Sequence, residues 1–112
     1  MKRGGVKLSE LSRDAMDSLF AQEGFSQHVV VVSSCVSGTL IKVHTYENTY
    51  LLQIISPKKK RVAVGRGFCT GGGMRSGYLG VVTFSDDVIR LGQELPVKKI
   101  KTTDVRKIVV LS

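Results

Sequence analysis

The stretch TYLLQIISPKKKRVAV, residues 49–64, predicts two short strands joined by a basic turn. Three large side chains alternate along one face of the first strand: Tyr50, Leu52 and Ile54. Pro57 has no amide hydrogen and a fixed φ angle, so it suits the first corner of a tight turn and not a central strand. We therefore predict a hairpin with Lys58 and Lys59 at its tip.

Short valine-rich or alternating runs on both sides of this hairpin predict further strands. These runs are 28–33, 38–45, 78–84, 88–91, 95–100 and 105–111. About seven or eight short strands without intervening helices favour a mainly β fold, a compact antiparallel barrel or sandwich. Of the two architectures, a small barrel is the one we expect.

One N-terminal amphipathic helix is predicted before the strands, over residues 8–23. Its apolar residues recur at three- and four-residue spacing: Leu8, Leu11, Ala15, Met16, Leu19 and Phe20. Ser9 is the predicted N-cap, and Gly24 is the predicted stop because glycine can adopt the left-handed conformation. We expect this helix to cover an open sheet edge or a barrel mouth.

Length and composition predict one globular domain. The chain has 112 residues, of which 42% are hydrophobic and 23% charged. We expect a flexible N-terminus at 1–7 and a single domain at 8–112, with its β region at 28–111. No apolar run approaches the roughly 18 residues of a spanning helix, and early acidic residues do not fit a secretory signal. A cytoplasmic protein without membrane contact is therefore expected.

Basic residues are concentrated in the second half of the chain. Residues 1–50 hold five Lys or Arg and five Asp or Glu, whereas residues 51–112 hold twelve against four, so this half accounts for the net charge of +8. Clustered like charges repel each other, and a bound polyanion offsets that repulsion. The candidate nucleic-acid contacts are Lys58, Lys59, Lys60, Arg61, Arg66, Phe68, Arg75, Lys98, Lys99 and Lys101. Among them, Phe68 is the candidate for base stacking, whereas Phe20, Phe25 and Phe84 are predicted core residues.

This charge pattern predicts a small basic binding module that contacts single-stranded DNA or RNA through the basic hairpin and the glycine-rich loop. The alternative is a protein-interaction or assembly module with an acidic partner, which would contact the helix or an exposed strand edge. A nuclear import signal at 58–61 is disfavoured, because an import receptor needs an extended segment. The sequence leaves the oligomeric state open.

No pattern in the sequence predicts a catalytic, metal or cofactor site. The glycines of GRGFCTGGGMRSG, residues 65–77, lack the spacing of dinucleotide or triphosphate loops, so we predict a connecting loop between strands. Cys35 and Cys69 are predicted to be free thiols, and only His28 and His44 could serve them as bases. We expect no cofactor and no metal, and an enzyme is the less favoured class.

Four segments together resemble a group of small uncharacterised bacterial proteins. They are NTY at 48–50, RVAV at 61–64, GGMRSGYLGV at 72–81 and TTDVRKI at 102–108. The resemblance covers residues 37–111 and implies a bacterial cytoplasmic protein of compact β architecture, without an assigned activity. The sequence departs from that group at Tyr78, where tryptophan is usual, and at Asp104, where proline is usual.

Overall fold

The hairpin predicted at residues 49–64 lies in the middle of a larger antiparallel sheet. The computed structural model describes residues 7–70 and 73–111, with the backbone alone at 68–70 and 73–75. The strands in this part of the chain are β1 (Phe25–Gln27), β2 (Val29–Val31), β3 (Leu40–Thr45), β4 (Thr49–Ser56), β5 (Arg61–Thr70), β6 (Gly73–Thr83), β7 (Val88–Arg90) and β8 (Val105–Val110). The helical elements are α1 (Arg13–Ala21) and two 3₁₀ turns, at Leu8–Glu10 and Val32–Ser34.

Six strands form the main sheet, in the order β1-β8-β3-β4-β5-β6, and β2 and β7 form a separate two-stranded ribbon. All neighbouring strands are antiparallel. The mainly β, antiparallel fold is therefore confirmed. The expectation of a closed barrel is wrong, since the two edge strands β1 and β6 do not pair with each other over the described residues. The ribbon and the helix cover the two faces instead, so the sheet buries both faces without closing.

Strands β4 and β5 carry the core on both faces. Tyr50, Leu52 and Ile54 share one face, as predicted, and pack into the larger apolar cluster. On the opposite face, Leu51 and Ala63 belong to a second cluster that includes helix residues. A strand covered on both sides is expected to be apolar at successive positions, which accounts for the unbroken burial of residues 50–54.

The ribbon covers the larger cluster. Val30 from β2 and Ile89 from β7 are buried against the main sheet. Asp87, immediately before β7, accepts hydrogen bonds from Ser33 through both carboxylate oxygens, with 2.8 Å between the Ser33 amide nitrogen and Oδ1. Its main-chain oxygen accepts from the Val32 amide at 2.7 Å. These bonds fix the ribbon to the 3₁₀ turn that follows β2.

The prediction of a strand at 95–100 is wrong, because this segment is irregular. Leu95 inserts into the larger cluster, and its amide donates to Oγ1 of Thr102 at 3.0 Å. The following residue is Pro96, which has no amide hydrogen to donate to a strand ladder. The alternation of apolar residues here reflects one anchoring side chain in a connecting segment.

The helix is shorter than predicted. Residues 8–10 form a separate 3₁₀ turn, and α1 begins after Ser12, whose Oγ accepts from the Ala15 amide at 3.2 Å. Ser9 is therefore not the N-cap. The helix buries Met16 and Phe20 against one face of the main sheet. It also reaches the edge strand β6, where the Ser76 hydroxyl donates to the Asp17 carboxylate, so it covers a sheet edge as expected but extends over the face as well. Among the described residues, no helix combines the length and apolar character needed to cross a membrane.

Two glycines in β5 make room for the helix. The prediction of a glycine-rich loop at 65–77 is wrong, because β5 continues through Gly65 and Gly67 to Thr70. A Cβ atom at Gly65 would lie 3.3 Å from Met16 Sδ, and one at Gly67 would lie 3.1 Å from Phe20 Cε1. Glycine within a strand is typical where another part of the chain approaches closely. These residues therefore serve helix packing.

The end of the helix meets a buried lysine. Lys42, on β3, is only 6% exposed, and its Nζ donates to the carbonyl oxygens of Phe20, at 2.8 Å, and Gln22. Carbonyl groups in the last turn of a helix lack partners within the helix, and cations are favourable there. Burial lowers the pKa of Lys42, nearby Lys107 lowers it further, and Glu23 opposes these effects.

Gly67→Ala is expected to lower the free energy of unfolding by about 1–3 kcal/mol, because the added methyl group presses on the Phe20 ring. Urea denaturation followed by circular dichroism measures this. Gly77→Ala is the matched control, since a Cβ at that exposed position on β6 meets no described atom within 4 Å. It should stay within about 0.5 kcal/mol of wild type. Equal losses in the two variants would contradict the packing role of Gly67.

Lys42→Met is expected to cost about 1–3 kcal/mol at pH 7, because buried carbonyl oxygens lose their donor. The difference should also depend on pH. The pKa of Lys42 in the folded state lies below the ordinary value of 10.5, so Lys42 keeps its proton to higher pH in the unfolded state than in the folded state. Wild type therefore gains stability relative to Lys42→Met as pH rises towards 10.5. Denaturation at several pH values tests this, with Lys59→Met, an exposed lysine of the turn that does not act on the pKa of Lys42, as control. A constant or shrinking difference would contradict it.

Candidate nucleic-acid interface

The basic run lies at a turn, as predicted. Residues 57–60 connect β4 to β5, and Lys58 and Lys59 are exposed at the tip. The Lys60 amide donates to the Pro57 carbonyl oxygen at 3.2 Å, which closes the turn. Pro57 is therefore the first residue of this turn and Lys58 and Lys59 are its two corners, so the expectation that Pro57 occupies the first corner is wrong.

Lys60 has an unusual backbone conformation. Its φ angle is +57°, in the left-handed region that costs an L-residue about 1–2 kcal/mol. Its carbonyl oxygen accepts from the amide of Phe84, at 2.9 Å, and Phe84 is a core residue, as predicted. This bond ties the basic turn to the residue that directly follows β6.

Two adjoining depressions lie beside β6, and we call them together the basic groove. The first, of about 530 Å³, is lined by Arg61, Val81, Val82, Thr83, Phe84, Ser85, Lys98 and Lys99. The second, of about 470 Å³, is lined by Arg66, Leu79, Val81, Val82, Lys99, Ile100 and Lys101. Because they share Val81, Val82 and Lys99, they form one continuous surface.

The basic groove combines cations that are far apart in the sequence. It brings together five of the predicted contacts: Arg61, Arg66, Lys98, Lys99 and Lys101. Among the described residues that line it, none is acidic. The hairpin end and the segment 98–101 therefore share one surface, a point that the sequence alone left open.

A pair of hydrogen bonds places the segment 98–101 next to β6. The Ser85 amide donates to the Pro96 carbonyl oxygen at 2.7 Å, and the Ser85 hydroxyl donates to the same oxygen at 3.2 Å. Leu95 anchors the start of this segment, because its side chain is buried in the larger apolar cluster. With both residues fixed, the lysines that follow lie over the end of the β5–β6 pair.

The other predicted contacts lie outside the groove or outside the described side chains. Lys58, Lys59 and Lys60 continue from its Arg61 end but do not line either depression. The Phe68 and Arg75 side chains lie outside the described residues, although their backbones pair across β5 and β6.

The remaining basic and aromatic residues lie elsewhere. Arg106 is on β8, with its guanidinium carbon 4.4 Å from the centroid of the Tyr46 ring. Lys107, also on β8, is paired with His44 of β3. Phe25 was predicted to be a core residue, but it is 79% exposed on the edge strand β1.

Sequence reasoning missed the apolar part of the groove. Leu79 and Val81 are exposed residues of β6 that line it, together with Ile100. The pairing of β5 and β6 shifts at this point, which leaves Leu79 as an extra residue beside Gly80, whose φ is +129°. Such a bulge redirects the side chain of the extra residue. Gly80 was the available signal, but it lies inside the strand predicted at 78–84, for which no bulge was expected.

The described thiol and imidazole groups offer little for catalysis. Burial raises the pKa of the Cys35 thiol, and Asp87 raises it further, so the reactive thiolate is disfavoured. His44 Nδ1 lies 3.2 Å from Thr49 Oγ1, and burial, followed by Lys42 and Lys107, lowers its pKa. Over the described residues, no three His, Cys, Asp or Glu side chains are placed to hold a metal ion.

Comparison with protein-family models, curated proteins and solved structures gives no match for this chain. A functional proposal therefore depends on the geometry and charge of the basic groove.

Proposed function

We propose that the protein binds single-stranded nucleic acid in the basic groove. The observation that supports this best is the convergence of five cations on one continuous surface without an acidic residue among its described lining. A nucleic acid carries one phosphate charge per nucleotide, and lysine and arginine side chains along a groove neutralise these charges and release bound counterions. A cytoplasmic location, where such strands occur, is part of the same proposal.

The apolar residues of the groove favour a single strand over a duplex. Leu79, Val81 and Ile100 lie between the cations and can contact unstacked bases. A duplex hides its base faces in the stack, so it would leave these apolar side chains without a base face to contact. The lysines of the turn and the residues Phe68 and Arg75 would extend the contact at either end.

The edge of β6 favours a second candidate, an acidic protein partner. Over the described residues β6 pairs with β5 alone, so its other edge can accept an added strand. Acidic side chains of an extended segment would then reach the cations of the groove. We prefer nucleic acid because the bulge at Leu79 and Gly80 interrupts the regular edge that an added strand needs.

A triple variant, Lys98→Ala, Lys99→Ala and Lys101→Ala, should weaken binding of labelled mixed-sequence single strands at least about tenfold at low salt. Each lost phosphate contact makes the dependence of log K on log salt shallower by about 0.7, so the slope should change by about 2. Fluorescence anisotropy with DNA and RNA strands at several salt concentrations measures both quantities.

The matched control removes the same charge elsewhere, with Arg13→Ala, Arg90→Ala and Arg106→Ala, none of which lines the groove. It should retain most of the affinity and the slope of wild type. Equal losses in the two triple variants would mean that net charge alone attracts the strand. If a glutamate-rich extended peptide binds the groove at physiological salt and the strands do not, the second candidate replaces the first. Thermal unfolding confirms that each variant is folded.

A further inference from the structure

A third depression lies on the face of the main sheet that carries the helix. Its volume is about 500 Å³, which is within the range of small-molecule sites. Its lining includes Lys7, Gln53, Ile55, Ala63, Tyr78 and Val81. The 3₁₀ turn at Leu8–Glu10 forms one wall, the turn before β3 contributes residues 37–38, and β4, β5 and β6 provide the rest.

Exposed apolar side chains from two strands, β4 and β6, meet at this depression. Ile55 is 40% exposed, and Tyr78 and Val81 are each 38% exposed. Ala63 lies buried beside them, opposite Val81 in the strand pairing. Single exposed apolar residues need no explanation, but a contiguous group around a concave surface is typical of a binding site.

Hydrogen bonds from polar groups of the lining connect the segments that form this depression. Gln53 Oε1 accepts from the Leu8 amide at 3.1 Å, which attaches the 3₁₀ turn to β4. The Ser37 hydroxyl donates to the Ile55 carbonyl oxygen at 2.8 Å, which attaches the turn before β3 to the end of β4. Both bonds join segments far apart in the sequence, so the depression is preformed.

Lys7 supplies the charge of this site. It is exposed at the rim, and no acidic side chain is among the described residues of the lining. An ammonium group beside an apolar surface complements a molecule that is apolar at one end and anionic at the other. Tyr78 adds a ring that can pack against a second ring in an offset or edge-to-face arrangement.

We propose that this depression binds a small apolar molecule with one anionic group, of which an aromatic carboxylate is the simplest kind. The ring lies against Ile55, Tyr78 and Val81, and the carboxylate faces the Lys7 ammonium. This site is separate from the cations of the basic groove, with Val81 as the residue common to both linings.

The test uses the full chain, labelled with ¹⁵N, and two probes of nearly equal size, 1-naphthoate and the neutral 1-naphthalenemethanol. Saturable amide shifts are expected for both probes within residues 53–55 and 78–81. Lys7→Met should weaken naphthoate binding about fivefold, the effect of one exposed ion pair, and change binding of the alcohol less than about twofold. Tyr78→Ala should weaken both probes, and Lys59→Met, remote from the depression, should weaken neither.

The absence of saturable shifts with millimolar naphthoate would overturn the proposal. So would shifts confined to residues 98–101, which would place the anion in the basic groove, or an equal naphthoate affinity in Lys7→Met and wild type. Because the probes and the labelled strands are titrated separately, either site can fail without the other.

Discussion

The close approach of α1 to β5 is the contact on which the rest of the fold depends. Gly65 and Gly67 have no side chains, so Met16 and Phe20 can lie directly against the strand. The helix then covers one face of the sheet while the β2–β7 ribbon covers the other. With both faces covered, the sheet needs no closure into a barrel, and β6 is left as an edge strand.

This edge determines where the charged surface forms. The segment after β7 returns to the end of β6, where Ser85 binds the Pro96 carbonyl and Leu95 enters the core. The lysines at 98–101 are thereby placed beside Arg61 and Arg66, which project from β5. The net charge of +8 becomes a localised surface because of these few long-range contacts.

Local patterns in the sequence predicted the antiparallel β fold, the 49–64 hairpin and its exposed lysines, because strand alternation and a proline turn act over a few residues. Contacts between distant segments were not predictable in this way. The glycines at 65 and 67 indicated a loop, since nothing nearby in the sequence shows that a helix packs on them. Likewise, the placement of Lys98 beside Arg61 depends on the bond between Ser85 and Pro96. The single cations were identified from the sequence, but their shared surface was not.

A double-mutant cycle between Gly67 and Phe20 tests most directly whether the missing side chain at position 67 of β5 makes room for the helix. Phe20→Leu removes the ring atoms that a Cβ at position 67 would meet at 3.1 Å. If the two residues are in direct contact, Gly67→Ala should cost at least about 1 kcal/mol less in the Phe20→Leu background than in wild type. Losses in unfolding free energy that add to within about 0.5 kcal/mol would contradict the account.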